Sequence, residues 1–409
     1  MGTLGDTGAS NRVSARAHTP GLSGTNLERA GDYNQRVTLQ AIRVHRTITR
    51  SELAELTGLT APAINNITRR LLQDGLIVGR GRVKGGRGQP PTLFSINSDG
   101  CFSIGVNIDR DHITIAVLDL IGNVRARSTL EADFALPQTV SEFFRSSVEG
   151  MLAVGDFDLE RLIGVGVAIP DRLSEIALPY RPPSYSEWDT VDIPSLFTST
   201  VPGPIFLEND ATAAAIGELQ FGHGIRQSTF FYLLISAGLG GGLVINGTQF
   251  RGAHGRSGEI GVLPLHSSRS PAQDLGRAVS LQGLYDLLRR NGYNVVRADV
   301  LQQLDAGGQA VIENWVGLSA DLLADPLIAV CCLLDPQAIY IGGRIPADLI
   351  DRLAVQLNRL LAERGNGITP IAPVQRAAMA LDAPAVGAAL LPFNDRLLPT
   401  QASLMKMNA

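Results

Sequence analysis

The sequence predicts a two-lobed α/β domain preceded by a small winged helix-turn-helix module. Three observations carry that expectation: a step in charge near residue 100, two short helical patterns joined by a glycine ahead of it, and alternating strand and helix signals after it. The chain has 409 residues, 44% of them apolar and 18% charged. At ~150 residues per domain this is two or three domains with material for sizeable cores, which excludes a globally disordered chain. No uninterrupted apolar run reaches the ~18 residues that a bilayer crossing needs. Met1 to Ala30 lack the apolar stretch of a secretory signal. The expected location is the cytoplasm, with no membrane partner. Three cysteines, Cys101, Cys331 and Cys332, give neither a disulfide framework nor a zinc knuckle, and are expected to be small core residues.

Residues 33–100 hold ten basic and four acidic side chains, a net +6, whereas residues 101–409 carry −10. A polyanion is therefore the expected partner of the first part only, since a diffuse positive patch attracts phosphates and an acidic body repels them.

Within the basic part, apolar spacing predicts a helix from Tyr33 to about His45. Thr49-Arg50-Ser51-Glu52 announces a second, because a hydroxyl three residues before a glutamate forms a reciprocal capping box. It ends at Gly58, which takes the left-handed conformation of a sharp turn. Thr60 then caps a third helix with Pro62 in its first turn. Ile64, Ile67 and Leu71 face inward, leaving Pro62, Ala63, Asn65, Asn66 and Arg69 near the open side. This is a helix-turn-helix with its recognition helix, where Asn suits adenine and Arg suits guanine. Gly79 to Pro91 is rich in glycine and arginine and precedes the strand-like Thr92 to Ile96, which together make a wing. The expected contacts to double-stranded operator DNA are Thr60, Pro62, Ala63, Asn65, Asn66 and Arg69 from the helix, and Arg80, Arg82, Lys84, Arg87 and Gln89 from the wing.

From Cys101 onward the pattern predicts strands at 102–108, 113–119, 162–169, 205–207, 230–235 and 242–245. Helices are expected at 140–152, 211–219, 281–290, 310–334, 346–364 and 384–392. Polar residues at the carboxyl ends of the strands would line a cleft between the lobes. His112, His254 and His266 lack metal-ligand spacing and are expected on the surface or in loops, with no metal bound.

Leu207-Glu208-Asn209-Asp210-Ala211-Thr212, the glycines of 238–242, Gly255-Arg256-Ser257-Gly258-Glu259-Ile260-Gly261, Leu334-Asp335-Pro336, Ile341-Gly342-Gly343 and Gly387-Ala388-Ala389 occur in the order seen in ROK proteins (repressor, open reading frame, kinase). The chain resembles that family over about residues 31–395. The resemblance implies an actin-like, ribonuclease-H-like sugar kinase fold joined to a winged helix, an arrangement typical of the family's sugar-responsive regulators. In the family's kinases the first hairpin carries Asp-x-Gly-Gly-Thr; the matching positions here are Asn107, Ile108, Asp109, Arg110 and Asp111. The second phosphate loop, Gly-Thr-Gly, becomes Ser236-Ala237-Gly238. Two carboxylates where phosphates would lie imply that kinase activity is lost and no catalytic residue or cofactor is retained, and the surviving glycines are expected to be ordinary tight turns. The resemblance also assigns Asn209, Asp210 and Glu259 to a sugar or sugar-derivative effector. The family's following histidine is Val262, and Ser270 to Val279 contain no cysteine, so zinc is not expected there.

The expected organisation is a disordered tail at 1–30, a winged helix-turn-helix at 31–98, a sugar-sensing domain at 99–395 and a second tail at 396–409. The expected function is a transcriptional regulator of carbohydrate metabolism, a repressor acting as a homodimer or higher oligomer. The alternative is an ATP-dependent sugar kinase with an accessory DNA-binding domain.

Overall fold

The computed structural model describes residues 27–82, 91–171, 173, 181–265, 270–367, 370–379 and 382–399. It opens with α1 (Leu27–His45), β1 (Ile48–Thr49), α2 (Arg50–Thr57), α3 (Ala61–Gln73), β2 (Ile77–Arg82) and β3 (Thr92–Ile96), the strands pairing antiparallel in the order β1-β3-β2. The capping box forms as read: Thr49 N–H donates to Glu52 Oε2 at 2.7 Å and Glu52 N–H to Thr49 Oγ1 at 3.3 Å. Gly58 ends α2 with φ 69°. Thr60 caps α3, accepting from Ala63 N–H at 3.4 Å. Helix α1 starts at Leu27, before the expected Tyr33 and inside the expected 1–30 tail.

The first lobe contains β4 (Phe102–Ile108), β5 (His112–Asp119), β6 (Val124–Glu131), α4 (Pro137–Val154), β7 (Leu162–Ile169), α5 (Ser195–Thr198), β8 (Ile205–Asn209) and α6 (Asp210–Phe221). The second contains β9 (Phe230–Ile235), β10 (Leu239–Ile245), β11 (Thr248–Gln249), α7 (Leu275–Ala278), α8 (Leu281–Arg290), α9 (Ala306–Leu334), β12 (Ala338–Gly343), α10 (Ala347–Arg364) and β13 (Val374–Arg376). The last helix, α11 (Ala383–Arg396), returns to the first lobe. Their sheets run β6-β5-β4-β7-β8 and β11-β10-β9-β12-β13, each an antiparallel trio extended by two parallel strands. The two lobes therefore repeat one topology, and the β4–β5 turn is the counterpart of the β9–β10 turn.

Helices α6 and α11 pack on each other between the sheets, α11 on β4, β5 and β7, and α6 on β9 and β10. They sit with almost no side-chain spacer. A Cβ added to Gly387 would lie 1.6 Å from Ala213 O, and one added to Gly242 would lie 2.4 Å from Ala211 O. This explains the alanines of 211–215 and the Gly387-Ala388-Ala389 run. It also corrects the reading of Gly240 to Gly242 as turn glycines: they are strand residues, Gly240 and Gly242 lying against Ala211 of α6 and Gly241 against Phe231 and the Gly258 carbonyl on the opposite face.

The winged module is not a separate core. Leu39, Ile42, Leu53 and Phe94 belong to one buried cluster with Leu118, Leu390 and Phe393 of the first lobe. Leu398, placed in the expected C-terminal tail, is buried in the same cluster. Cys101 and Cys331 are buried as expected, but Cys332 is exposed on α9. Helix α9 is long and apolar enough by composition to cross a membrane, yet it carries Asp321 and Asp325 and buries Ile312, Trp315, Val316, Leu323 and Leu327 in the second lobe.

Candidate functional site

The open face of α3 is built by burying the opposite one. Ile64, Thr68 and Leu71 are buried, Ile67 only partly, and Thr60, Pro62, Asn65, Asn66, Arg69 and Arg70 are exposed, with Ala63 half-buried. Arg69 donates to Asn66 Oδ1 at 3.1 Å, so two of the polar groups are held side by side. Arg70 shares the exposure and was not singled out by sequence. In the wing, Arg80 is exposed and donates through Nε to Ser95 Oγ at 2.9 Å. Arg82 closes β2, while Lys84, Arg87 and Gln89 lie outside the described residues.

Charge counting overstated this surface. Arg50 lies over the Phe94 ring and donates to Thr68 Oγ1 at 2.8 Å. Arg36 donates to the carbonyls of Asp395 at 2.6 Å and Leu398 at 3.3 Å, and Arg43 to Gln220 Oε1 at 2.5 Å. Three of the ten cations thus serve the fold.

In the two-lobed domain, β8 delivers Asn209 and Asp210 to the head of α6. Asn209 Oδ1 accepts from the N–H groups of Ala211 at 3.0 Å and Thr212 at 3.1 Å, an N-cap. Asp210 Oδ1 accepts from Ala211 N–H at 2.8 Å. Burial first, then the charges of Asp109 and Glu259, push the Asp210 carboxyl up to about 7, against the pull of Arg110 and the Ala211 N–H. Glu259 thus stands within electrostatic reach of Asp210. Glu208, just before the cap, is paired with Arg251, whose Nε donates at 2.8 Å.

Glu259 also lines a cavity of about 940 Å³, with Asp171, Arg110 and Arg256 among its polar walls and Leu239, Trp315 and Leu318 among its apolar ones. Asn209 and Asp210 are not among its lining residues. Val262, in the place of the family's histidine, lines it and is exposed.

The two equivalent turns meet at the cleft. Ser236 Oγ donates to Asp109 Oδ2 at 2.5 Å, and Asp109 Oδ1 accepts from Arg110 N–H at 2.7 Å. The Arg110 guanidinium lies 3.5 Å from Asp109 and rests on Gly238, where an added Cβ would come within 2.4 Å of Nη1. Asp109 is only 1% exposed. Burial alone would raise its carboxyl, but His112, Arg110 and the Ser236 hydroxyl hold it below the usual carboxylate range.

His112 departs from the expectation of a surface position. It is buried at the start of β5, with Nδ1 2.7 Å from Asp111 Oδ1 and Nε2 3.1 Å from Asn107 Nδ2. Asp109, Asp111 and His112 bring three potential metal-ligand atoms within 4.8 Å. Arg110 and, at 3.9 Å from Asp111, Arg344 already supply counter-charge there. His254 is exposed and His266 lies outside the described residues.

Residues 103–394 match the model of the ROK family, and residues 32–78 that of a winged helix-turn-helix DNA-binding domain. An uncharacterized protein of Sinorhizobium fredii, y4fQ, is 29% identical over 88% of this chain and 90% of its own. The xylose repressor of Bacillus subtilis is 27% identical over 56% of this chain, and the match spans 59% of that repressor. Among solved structures, a ROK family transcriptional regulator homologous to the E. coli MLC protein superposes with a TM-score of 0.65 at 18% identity, covering 90% of this chain and 98% of that one. A ROK glucokinase from Streptomyces griseus, in complex with glucose and AMPPNP, gives 0.54 at 21% identity, covering 71% and 98%. With the duplicated sheets, the interlobe helices and these matches, the chain belongs to the ROK family and carries a winged helix-turn-helix domain at its amino-terminal side.

Proposed function

We propose that this chain is a cytoplasmic transcriptional repressor of carbohydrate genes, whose winged module (31–98) binds operator DNA and whose two-lobed domain (99–395) senses a sugar or sugar derivative. The carrying observation is that an open recognition helix is fused, through one buried core, to a ROK domain whose phosphate-facing turns are bonded to each other. Asn65, Asn66 and Arg69 read base edges, while Arg80, Arg82, Lys84, Arg87 and Gln89 hold the backbone or minor groove. One such module reads few base pairs, so a symmetric dimer on two half-sites is the working form. Asp210 and Glu259 accept hydrogen bonds from sugar hydroxyls, and the amide of Asn209 has its nitrogen to offer while its oxygen caps α6. The decisive experiment is selection of duplexes from a random-sequence pool, followed by release with D-xylose first, because several relatives are xylose repressors. Enrichment of a pseudo-palindrome released by one sugar supports the reading, and a chain that retains no duplex refutes it.

The rival reading is a sugar kinase with an accessory DNA-binding domain. A carboxyl titrating at about 7 beside the sugar site suits a general base, and Asp210 is such a group. Against it, a nucleotide would have to displace Asp109 from Ser236 and lift Arg110 off Gly238. ATP consumption with a panel of hexoses and pentoses separates the two.

A further inference from the structure

We propose that α6 and α11 act as one rigid rod joining the ligand cleft to the DNA-binding module, with Arg43 and Arg36 positioning α1 on its far end. The inference rests on the reading above for what happens at each end and adds how the ends are joined. At its head, α6 carries the cap residue Asn209 and the buried Asp210. Twelve residues later, about 18 Å along the axis, its tail ends in Gln220 and Phe221. Both meet α1: Arg43 Nη2 lies 2.5 Å from Gln220 Oε1, and its guanidinium stands 5.5 Å from the centre of the Phe221 ring.

Helix α11 makes the second attachment. Its last carbonyls, Asn394 at 3.4 Å and Asp395 at 2.6 Å, with Leu398 at 3.3 Å, all accept from Arg36 Nη1, so an arginine of α1 satisfies the end of a helix in the other module. The two helices cannot slide independently. Gly387 sits against Ala213 and Gly217 against Ala383, so closely that a Cβ would meet backbone oxygen at 1.6 Å and 3.0 Å. A shift at the head of α6 is therefore delivered to both arginines together. The placement of Arg43 supports a specific role, since its burial lowers the guanidinium from its usual value to about 10. Arg43 is half-buried, and its Nε also donates to Gln40 Oε1 at 3.0 Å, so the guanidinium is held from both sides by protein partners.

By reciprocity, DNA bound at α3 must change affinity at the cleft by the same factor as ligand changes DNA affinity, and a rigid rod would carry that change through the head of α6. This permits a test with no ligand. The probe is the duplex that the parent chain enriches from a random pool, and the readout is hydrogen exchange of the Ala211 to Ala213 amides. In the parent, duplex should change their exchange about fivefold or more, the low end of ordinary coupling. In Arg43→Ala, and in Gln220→Ala made from the other side of the contact, the duplex should still protect α3 while the response at 211–213 shrinks, and it should be lost when Arg36→Ala is added to Arg43→Ala and the α11 attachment goes too. Gln220→Ala keeps the test sound if Arg43→Ala loosens the module. Arg43→Lys, which keeps charge but not the planar fork, should recover only part of the response. Protection of α3 with no change at 211–213 in the parent would overturn the rod, as would an unchanged response in both alanine variants. Failure to enrich any duplex is a different result, which overturns the DNA-binding reading and the coupling with it.

Discussion

Replacing Asp210 by Asn should stabilise the fold at alkaline pH, although the residue stands in the proposed sugar site. Burial, with Asp109 and Glu259 nearby, raises the Asp210 carboxyl from 3.8 to about 7. Below about pH 4 the folded and unfolded chains both hold the proton. Between there and pH 7 the unfolded chain releases it while the folded chain keeps it, so stability falls as pH rises and levels off once the folded carboxyl has ionised. At ~1.4 kcal/mol per pH unit the full loss is ~4 kcal/mol. Asn cannot ionise, keeps the volume, and keeps an oxygen for the Ala211 N–H that Asp210 accepts at 2.8 Å. Asp210→Asn should therefore exceed the parent by ~2–4 kcal/mol at pH 8 and by far less at pH 5. Urea unfolding from pH 5 to pH 8.5, with the slope checked for constancy, reads the gap directly. A gap that does not widen with pH would refute the assigned burial and charge environment of Asp210, and a variant that unfolds would show that the fold needs the carboxylate rather than being strained by it.

Three further outcomes are expected. Arg69→Ala should weaken binding to the enriched duplex by ~1–3 kcal/mol while leaving random DNA nearly unaffected, measured by titration at fixed salt. Alanine at Arg80, Arg82, Lys84 and Arg87 together should weaken specific and random duplexes alike and flatten the salt dependence, a loss confined to the specific duplex being the contrary result. Gly387→Val should abolish soluble folded chain, because its Cβ meets Ala213 O at 1.6 Å and the overlap falls on backbone; recovery of a parent-like melting temperature would contradict the close packing of α6 and α11.

Local signals were legible in the sequence where the chemistry is local. The capping box at Thr49 and Glu52, the left-handed Gly58 and the alanine helix headed by Asn209 and Asp210 each depend on residues within one turn of helix. Strand β6 was missed because Val124 to Glu131 lies at a sheet edge whose inward face, Ala126, Ser128 and Leu130, is only half-buried and written in small and mixed residues. The bond between Asp109 and Ser236 joins positions 127 apart, and neither residue carries a mark of the other. It becomes visible only when the two lobes are seen to repeat one strand order. His112 looked like a loop residue because its partners, Asn107 and Asp111, are ordinary until the hairpin folds them around the ring. Charge counting located the basic module but could not tell that Arg36, Arg43 and Arg50 point into protein rather than toward DNA.

The turn pair at the cleft bears on how a kinase-like fold comes to serve as a sensor. A site that receives phosphates must keep hydroxyl and amide donors waiting, supplied by small residues, with the space between them open. Here the donors are spent internally. The Ser236 hydroxyl and the Arg110 N–H satisfy Asp109, Arg110 balances its charge, and the guanidinium covers Gly238. Separating a buried carboxylate from its partners costs ~3–5 kcal/mol before any repulsion between it and a phosphate is counted. Under the repressor reading this closure is an advantage. Binding energy at Asp210 and Glu259 is then not diverted into opening a nucleotide site or committing a substrate to reaction. It remains available for the ~1–3 kcal/mol of preference between DNA-competent and DNA-incompetent arrangements that a regulatory ligand must supply.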